Sequence, residues 1–163
     1  VDIAMISSPQ RELSLEGQDF ESLFILNDEL VACLSKHHDK ANRAFLTPED
    51  FQSETYITNS AIPEADREYE LFFKPNQVVP KKLLQVGFNE AILELVKVNM
   101  GLTIFSKQLA QPFLQAHGIN CIPLGADGLT VYWHLVYVKQ DKVKHPAQIL
   151  SQLLTRYSEQ QLG

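Results

Sequence analysis

Residues 86–107, VGFNEAILELVKVNMGLTIFSK, decide the fold that we expect for this chain. A short apolar run ends at Gly87, and Asn89 is a typical helix N-cap because its side-chain oxygen can accept an amide of the first turn. Gly101 is free to adopt the left-handed conformation that ends many helices. Leu102 to Phe105 is a second short apolar run. This order predicts a right-handed β-α-β unit with parallel strands.

The helix of this unit is apolar on more than one face. Only Glu90, Glu94 and Lys97 form a polar stripe along it. A helix that lies on one sheet needs a single apolar face, so we expect the outer side to be covered as well. Two interpretations remain open at this point: the helix is wedged in the core of its own domain, or it contacts a partner chain.

Composition excludes several classes of protein. The 163 residues carry a net charge of −6 without a run of basic residues, which argues against direct nucleic-acid binding by this chain. No apolar run is long enough for a membrane span and no signal peptide is recognisable, so we expect a cytoplasmic protein without membrane contact. Cys33 and Cys121 lack metal-ligand spacing and indicate buried, reduced thiols. We therefore expect no metal and no cofactor.

The order of elements predicts an α/β fold with two lobes. From Glu54 onward strands and helices alternate, which is typical of a three-layer unit with a mostly parallel sheet. The remaining elements do not continue this alternation: apolar strands at 1–6, 20–26 and 29–35, a strand at 130–138, and a last helix that Pro146 opens. We assign residues 1–36 and 129–163 to a first lobe and residues 37–128 to a second. Because Val1 already lies in an apolar strand, we expect an amino-terminally truncated chain with an incomplete first lobe.

Polar or exposed side chains that follow the predicted strands are candidates for a small-molecule site. They are Thr58, Asn59, Ser60, Phe88, Asn89 and Ser106 in the second lobe, and Ser7 and Ser8 in a loop of the first. Asn89 and Ser106 each begin a helix, whose free amides suit a carboxylate. Each of these residues could instead be a plain cap or turn residue.

Three histidines are weaker candidates. His134 is expected to be a half-buried core residue on the returning strand. His37 and His38 are adjacent, and neighbouring side chains on an extended chain point in opposite directions. They therefore predict a solvated loop rather than a metal site.

Many short motifs occur in the order typical of one family. They are VDIAMISSP (1–9), ELVACLSKHHD (29–39), LTPEDF (46–51), SETYITNS (53–60) and VGFNEAILELVKVNMGLTIFSKQLA (86–110). With these motifs the chain resembles the effector-binding domain of LysR-type transcriptional regulators. The segment DREYELFFKPNQVVPKKLLQV (66–86) is most similar to regulators of methionine biosynthesis. One departure is Ser106, which stands where the family's strand usually ends in proline.

The resemblance implies a fold like that of periplasmic solute-binding proteins, with two α/β lobes, two crossing strands and a cleft for a small effector. It implies homocysteine or a related amino acid as effector, and a homodimer or homotetramer in the full-length protein. It also implies that DNA is bound only through a helix-turn-helix domain upstream, and that the helix after Asn89 packs against a partner subunit. A solute-binding protein of a transport system is the alternative. The absence of hydrolase, phosphate-loop, dinucleotide and metalloprotease motifs argues against an enzyme, so no residue is assigned a catalytic role.

Overall fold

The computed structural model describes residues 2–15, 17–60, 67–108, 110–111 and 118–162. The chain divides into two units, Val1–Asp28 with Thr130–Gly163, and Glu29–Leu129. The strands are β1 (Ile3–Ser8), β2 (Phe20–Ser35), β3 (Thr55–Thr58), β4 (Lys82–Gln85), β5 (Thr103–Ser106), β6 (Ile119–Pro123) and β7 (Leu129–Val138). The helices are α1 (Asn89–Lys97) and α2 (Asp141–Leu162), with short helical segments at Pro48–Ser53, Tyr69–Phe73 and Lys74–Asn76.

The predicted β-α-β unit is present in the Glu29–Leu129 unit, with β3 between its two strands. β3 and β4 are parallel from the pair Thr55–Lys82 to the pair Thr58–Gln85. On its other side β3 meets the start of β5, where the amide of Ile57 donates to the carbonyl of Leu102 at 2.8 Å. The helix between them, α1, buries Ile92, Leu93 and Val96 in the same core as Ile57. The carboxyl ends of the three strands therefore lie at one edge.

The expectation of mostly parallel sheets is wrong for the other strand pairs. β1 pairs antiparallel with β7, and β2 pairs antiparallel with both β5 and β6. The α/β class itself is correct. An alternation of strands and helices fixes the direction of consecutive strands only, and β2 reaches its partners from more than 60 positions away along the chain.

β2 is one strand of 16 residues rather than two strands at 20–26 and 29–35. The two predicted strands are joined through Asn27 and Asp28, which are residue types depleted in strands. Asp28 is only 7% exposed, and its carboxylate accepts a hydrogen bond from Nε1 of Trp133 at 3.3 Å. A partner for the charged group allows the strand to continue, so that β2 leads from the first unit into the second.

The last helix begins at Asp141, five residues before Pro146, and the prediction that Pro146 opens it is wrong. Val143 and Ala147 lie one turn apart and are buried in a core with Ile25 and Leu135. The carbonyl of Gln140 accepts the amides of Val143 and Lys144, at 2.9 and 3.1 Å. Packing and these bonds stabilise the start of α2, although Pro146 has no amide hydrogen to donate to the helix.

Two residues, Asn99 and Gly101, shape the end of α1, whereas the sequence predicted that Gly101 alone would do so. Asn99, with a φ of 61°, takes the left-handed conformation, whereas the φ of Gly101 is not positive. Gly101 instead serves close packing, because a Cβ on it would lie 2.4 Å from the carbonyl oxygen of Thr55. The absent side chain lets the turn between α1 and β5 lie against β3.

Gly101→Ala should lower the free energy of unfolding by about 1–3 kcal/mol, because the methyl group forces β3 and the turn apart. Chemical denaturation monitored by circular dichroism measures this loss. Gly87→Ala is the matched control, since a Cβ there meets nothing within 4 Å. Equal unfolding midpoints for the two variants would show that the close approach is unimportant.

Candidate functional site

The candidate site is the edge at which β3 and β4 end. Thr58 and Gln85 form the last parallel pair, and the amide of Val86 donates to the carbonyl of Thr58 at 2.8 Å. The segments that leave the two strands, Asn59-Ser60 and Phe88-Asn89, therefore start side by side. This is the edge where open α/β sheets commonly bind ligands.

Asn59 and Asn89 contact each other directly at this edge. Nδ2 of Asn59 donates a hydrogen bond to Oδ1 of Asn89 at 3.0 Å. The prediction that Asn89 is the N-cap is wrong: Phe88 occupies that position with extended dihedrals, and Asn89 is the first residue of α1. The side-chain oxygen of Asn89 therefore binds Asn59 instead of capping its own helix, and Phe88 contributes no side-chain cap.

The hydroxyl candidates of this unit are mostly buried. Thr58 is 7% exposed, and its Oγ1 accepts the amide of Ser60 at 3.2 Å, which shapes the turn after β3. Ser106 is 8% exposed and ends β5, on the opposite side of β3 from β4. Residues 107–108 and 110–111 after it are helical; residues 109 and 112–116 of the helix predicted over 106–116 lie outside the described residues. The ring of Phe88 is 75% exposed.

Ser7 and Ser8 belong to the other unit and lie within β1 rather than in a loop after it. They pair with Trp133 and Tyr132 of β7. Oγ of Ser8 accepts the amide of Gln10 at 3.1 Å. His134 is 1% exposed, and its Nε2 donates to the carbonyl of Gln10 at 3.0 Å, so it is a core histidine with a backbone partner.

His38 is not the solvated loop residue that the sequence predicted. Its side chain is 10% exposed, and its Nε2 lies 3.3 Å from Oε2 of Glu54. The amide of Lys40 donates to Nδ1 of His38 at 3.1 Å, so Nε2 carries the proton and donates to Glu54. The ammonium group of Lys40 pairs with the other oxygen of the same carboxylate. Sixteen positions separate His38 from Glu54, and no local pattern links them.

His38 and Glu54 of this cluster line a cavity of about 390 Å³ at the amino end of β3 and β4, together with Lys81 and Lys82. Burial alone would raise the pKa of Glu54, but the hydrogen bonds from Lys40 and His38, together with the charge of Lys40, outweigh it and hold that pKa below its ordinary value. Glu54 is therefore ionised at neutral pH and binds the loop after β2 to the start of β3.

Neither a metal centre nor a membrane span occurs in the described part of the chain. None of its groups of His, Cys, Asp and Glu side chains could supply three ligands to a metal ion. None of its helices is both long and apolar enough to cross a bilayer. Cys33 is buried as predicted, Cys121 is half-buried, and both are free thiols.

The family model described as "LysR substrate binding domain" matches residues 1–159. The chain belongs to this family. The LysR-type resemblance drawn from the sequence motifs is thereby confirmed. Among curated relatives, the HTH-type transcriptional regulator CfxR of Cupriavidus necator is 20% identical across the whole chain, and CysL of Bacillus subtilis is 23% identical across 99% of it. The match takes in 50% and 52% of those two proteins, so the chain spans about half their length.

Solved structures show the same fold. The regulatory domain of the LysR-family regulator MetR from N. meningitidis aligns with 95% of this chain and 70% of its own at a TM-score of 0.81 and 20% identity. The effector-binding domain of QuiR in complex with shikimate aligns with 98% of this chain and 72% of its own, at a TM-score of 0.69 and 20% identity. At such identities the likeness concerns the fold alone.

Glu54→Gln should lower the free energy of unfolding by about 1 kcal/mol at pH 7, because it removes the charge that Lys40 and His38 stabilise. Since the folded pKa of Glu54 lies below its ordinary value of 4.5, this stabilisation is present above that pH and is lost as the pH falls through the folded pKa. Urea unfolding between pH 7 and pH 3 measures it, and the two proteins should converge at low pH.

Glu94→Gln is the matched control. Glu94 also pairs with a lysine, at 3.4 Å from Lys97, but its side chain is 62% exposed. Exposed pairs contribute little, so this variant should stay close to wild type at every pH. A Glu54→Gln deficit that does not change with pH would contradict a charge-based role.

Proposed function

We propose that this chain is the effector-binding domain of a LysR-type DNA-binding transcriptional regulator. The match of the family model along residues 1–159 carries the proposal. Both curated relatives named above are HTH-type regulators of about twice this length, which supports a separate helix-turn-helix domain for DNA contact. The net charge of −6 fits a domain that does not itself contact DNA. Such a regulator acts in the cytoplasm, where the DNA is.

The groups at the carboxyl edge of β3 and β4 suit a small amino acid. The bond between Asn59 and Asn89 uses one donor and one acceptor, so Asn59 retains its Oδ1 acceptor and Asn89 its Nδ2 donors. The amides in the first turn of α1 receive no side-chain cap from Phe88 and favour an anion. The α-amino group of such a ligand would donate to Oδ1 of Asn59. Its carboxylate would accept from Nδ2 of Asn89 and from the amides in the first turn of α1.

Homocysteine or a related sulfur amino acid is the effector that we propose. The segment at 66–86 supports it through its similarity to regulators of methionine biosynthesis. The remaining candidates of this unit, Thr58, Ser60, Phe88 and Ser106, would form the surroundings of this ligand. All of these groups bind by hydrogen bonds or apolar contact, so we propose binding without catalysis.

The regulator is proposed to form a homodimer, or a homotetramer built from such dimers, through the carboxyl end of α1. The inner side of the helix is buried in its own unit, where Leu95 also packs partly against the core. Beyond the last turn, Val98 and Met100 are 63% and 54% exposed. An effector bound at the first turn of α1 would then act on the interface through the same helix. It would do so to the extent that it binds one arrangement of the two subunits more tightly than another.

A solute-binding protein of a transport system is the alternative, because that class shares the fold. The two curated relatives favour the regulator. The sequence upstream in the gene separates the two: a helix-turn-helix belongs to the regulator and a secretory signal to the transport protein.

Homocysteine should raise the melting temperature of the domain, because a ligand that binds only the folded state at about 100 times its Kd adds about 2.7 kcal/mol. Thermal-shift titration with homocysteine, methionine and related acids measures the effect. If no sulfur amino acid stabilises the protein, the proposed effector class is wrong while the family assignment stands.

Asn89→Ala and Ser106→Ala should abolish most of that thermal shift without lowering the melting temperature of the ligand-free protein by more than a few degrees. Asn42→Ala is the control, since this asparagine is exposed and is not one of the candidate site residues. An undiminished shift in both site variants would place the ligand elsewhere.

A further inference from the structure

Two cysteines face each other inside the Glu29–Leu129 unit. Cys33 of β2 and Cys121 of β6 are directly opposite in the antiparallel register, and their Sγ atoms are 3.2 Å apart. The Cα separation of such cross-strand pairs lies within the range that disulfides span. The sulfur atoms would have to approach by only about 1 Å to reach bonding distance.

The two thiols differ in their access to solvent. Cys33 is 0% exposed and lies in the core with Ile57 and Ile92. Cys121 is half-buried and lines a cavity of about 410 Å³ whose wall also carries Arg43 and Lys107. A small oxidant in this cavity therefore meets Cys121 first, with Cys33 behind it.

The protonation of Cys33 agrees with this order. Its hydrogen bond with Cys121 and its burial raise the pKa of the Cys33 thiol well above the ordinary value. Cys33 therefore keeps its proton, and its S–H can donate to the sulfur of Cys121. Because the thiolate is the reactive form of cysteine, the residue that reacts first is Cys121.

We propose that Cys33 and Cys121 are a redox modification site that closes to a reversible disulfide when a peroxide enters the cavity beside β6. The sulfur of Cys121, having lost its proton to solvent, attacks the peroxide. An S–O bond forms, the O–O bond breaks, and the leaving hydroxide takes up a proton to become water. Cys121 is then a sulfenic acid.

In the second step the sulfur of Cys33 attacks the sulfur of Cys121. The S–S bond forms, the S–O bond breaks, and hydroxide leaves as water with the proton of the Cys33 thiol. In sum, two thiols and one hydrogen peroxide give one disulfide and two waters; the sulfurs lose two electrons and the peroxide gains them. A dithiol reductant reverses the modification by exchange.

The test is exposure of the chain to an excess of hydrogen peroxide. Wild type should lose both titratable thiols and the mass of two hydrogen atoms without forming disulfide-linked dimers, and a non-reducing peptide map should join Cys33 to Cys121. Dithiothreitol should restore both thiols. Retention of both thiols, overoxidation without the linkage, or linkage between two chains would overturn the proposal.

Two serine variants test the assigned roles. In Cys33→Ser the sulfenic acid of Cys121 has no resolving thiol, so dimedone should label it. In Cys121→Ser dimedone should label Cys33 far more slowly, because its side chain is fully buried. Equal labelling rates in the two variants, with circular dichroism showing both folded, would contradict the order of reaction. Absence of label in Cys33→Ser would show that the cavity does not admit the oxidant to Cys121.

Discussion

The hydrogen bonds between β3 and the turn before β5 are the constraint on which the candidate site depends. The carbonyl of Thr55 accepts the amide of Leu102 at 3.0 Å, and Leu102 in turn accepts the amide of Ile57 at 2.8 Å. Both bonds require the backbone at Gly101 to approach β3 more closely than a Cβ would allow. Without this approach the ends of β3 and β5, and with them Thr58 and Ser106, would not share an edge.

Local signals were sufficient to predict the elements that carry the site. A short apolar run, a helix start and a helix end within residues 86–107 predicted the unit that the structure contains. The parallel direction of β3 and β4 followed from alternation, because a helical crossover leaves no other simple arrangement. Polar residues after each strand were then placed at one edge by topology alone. For this part of the fold, local sequence and the alternation of elements were enough, even though β3 lies between β4 and β5.

The predictions that failed concern contacts between residues distant in sequence. The strands predicted at 20–26 and 29–35 are one strand, in which Trp133, 105 positions after Asp28, supplies a donor for the Asp28 carboxylate. Asn89 has the properties of an N-cap, but Asn59 competes for its oxygen. The sequence around His38 predicts a solvated loop, but in the structure Glu54 lies beside the ring. In each case a tertiary partner satisfies a polar group that the sequence alone would assign to solvent or to the local backbone.

The two ends of β3 differ in the chemistry of their side chains. At its amino end, charged groups satisfy one another, since Glu54 accepts from Lys40 and from His38. At its carboxyl end the groups are neutral amides and hydroxyls, among which Asn59 and Asn89 keep hydrogen-bonding capacity beyond their mutual bond. Neutral groups can bind both ends of a zwitterion without an uncompensated charge when the ligand leaves. Under the proposed function, an amino acid would bind and dissociate at the carboxyl end of β3, while the Lys40–Glu54 ion pair holds the amino end in position.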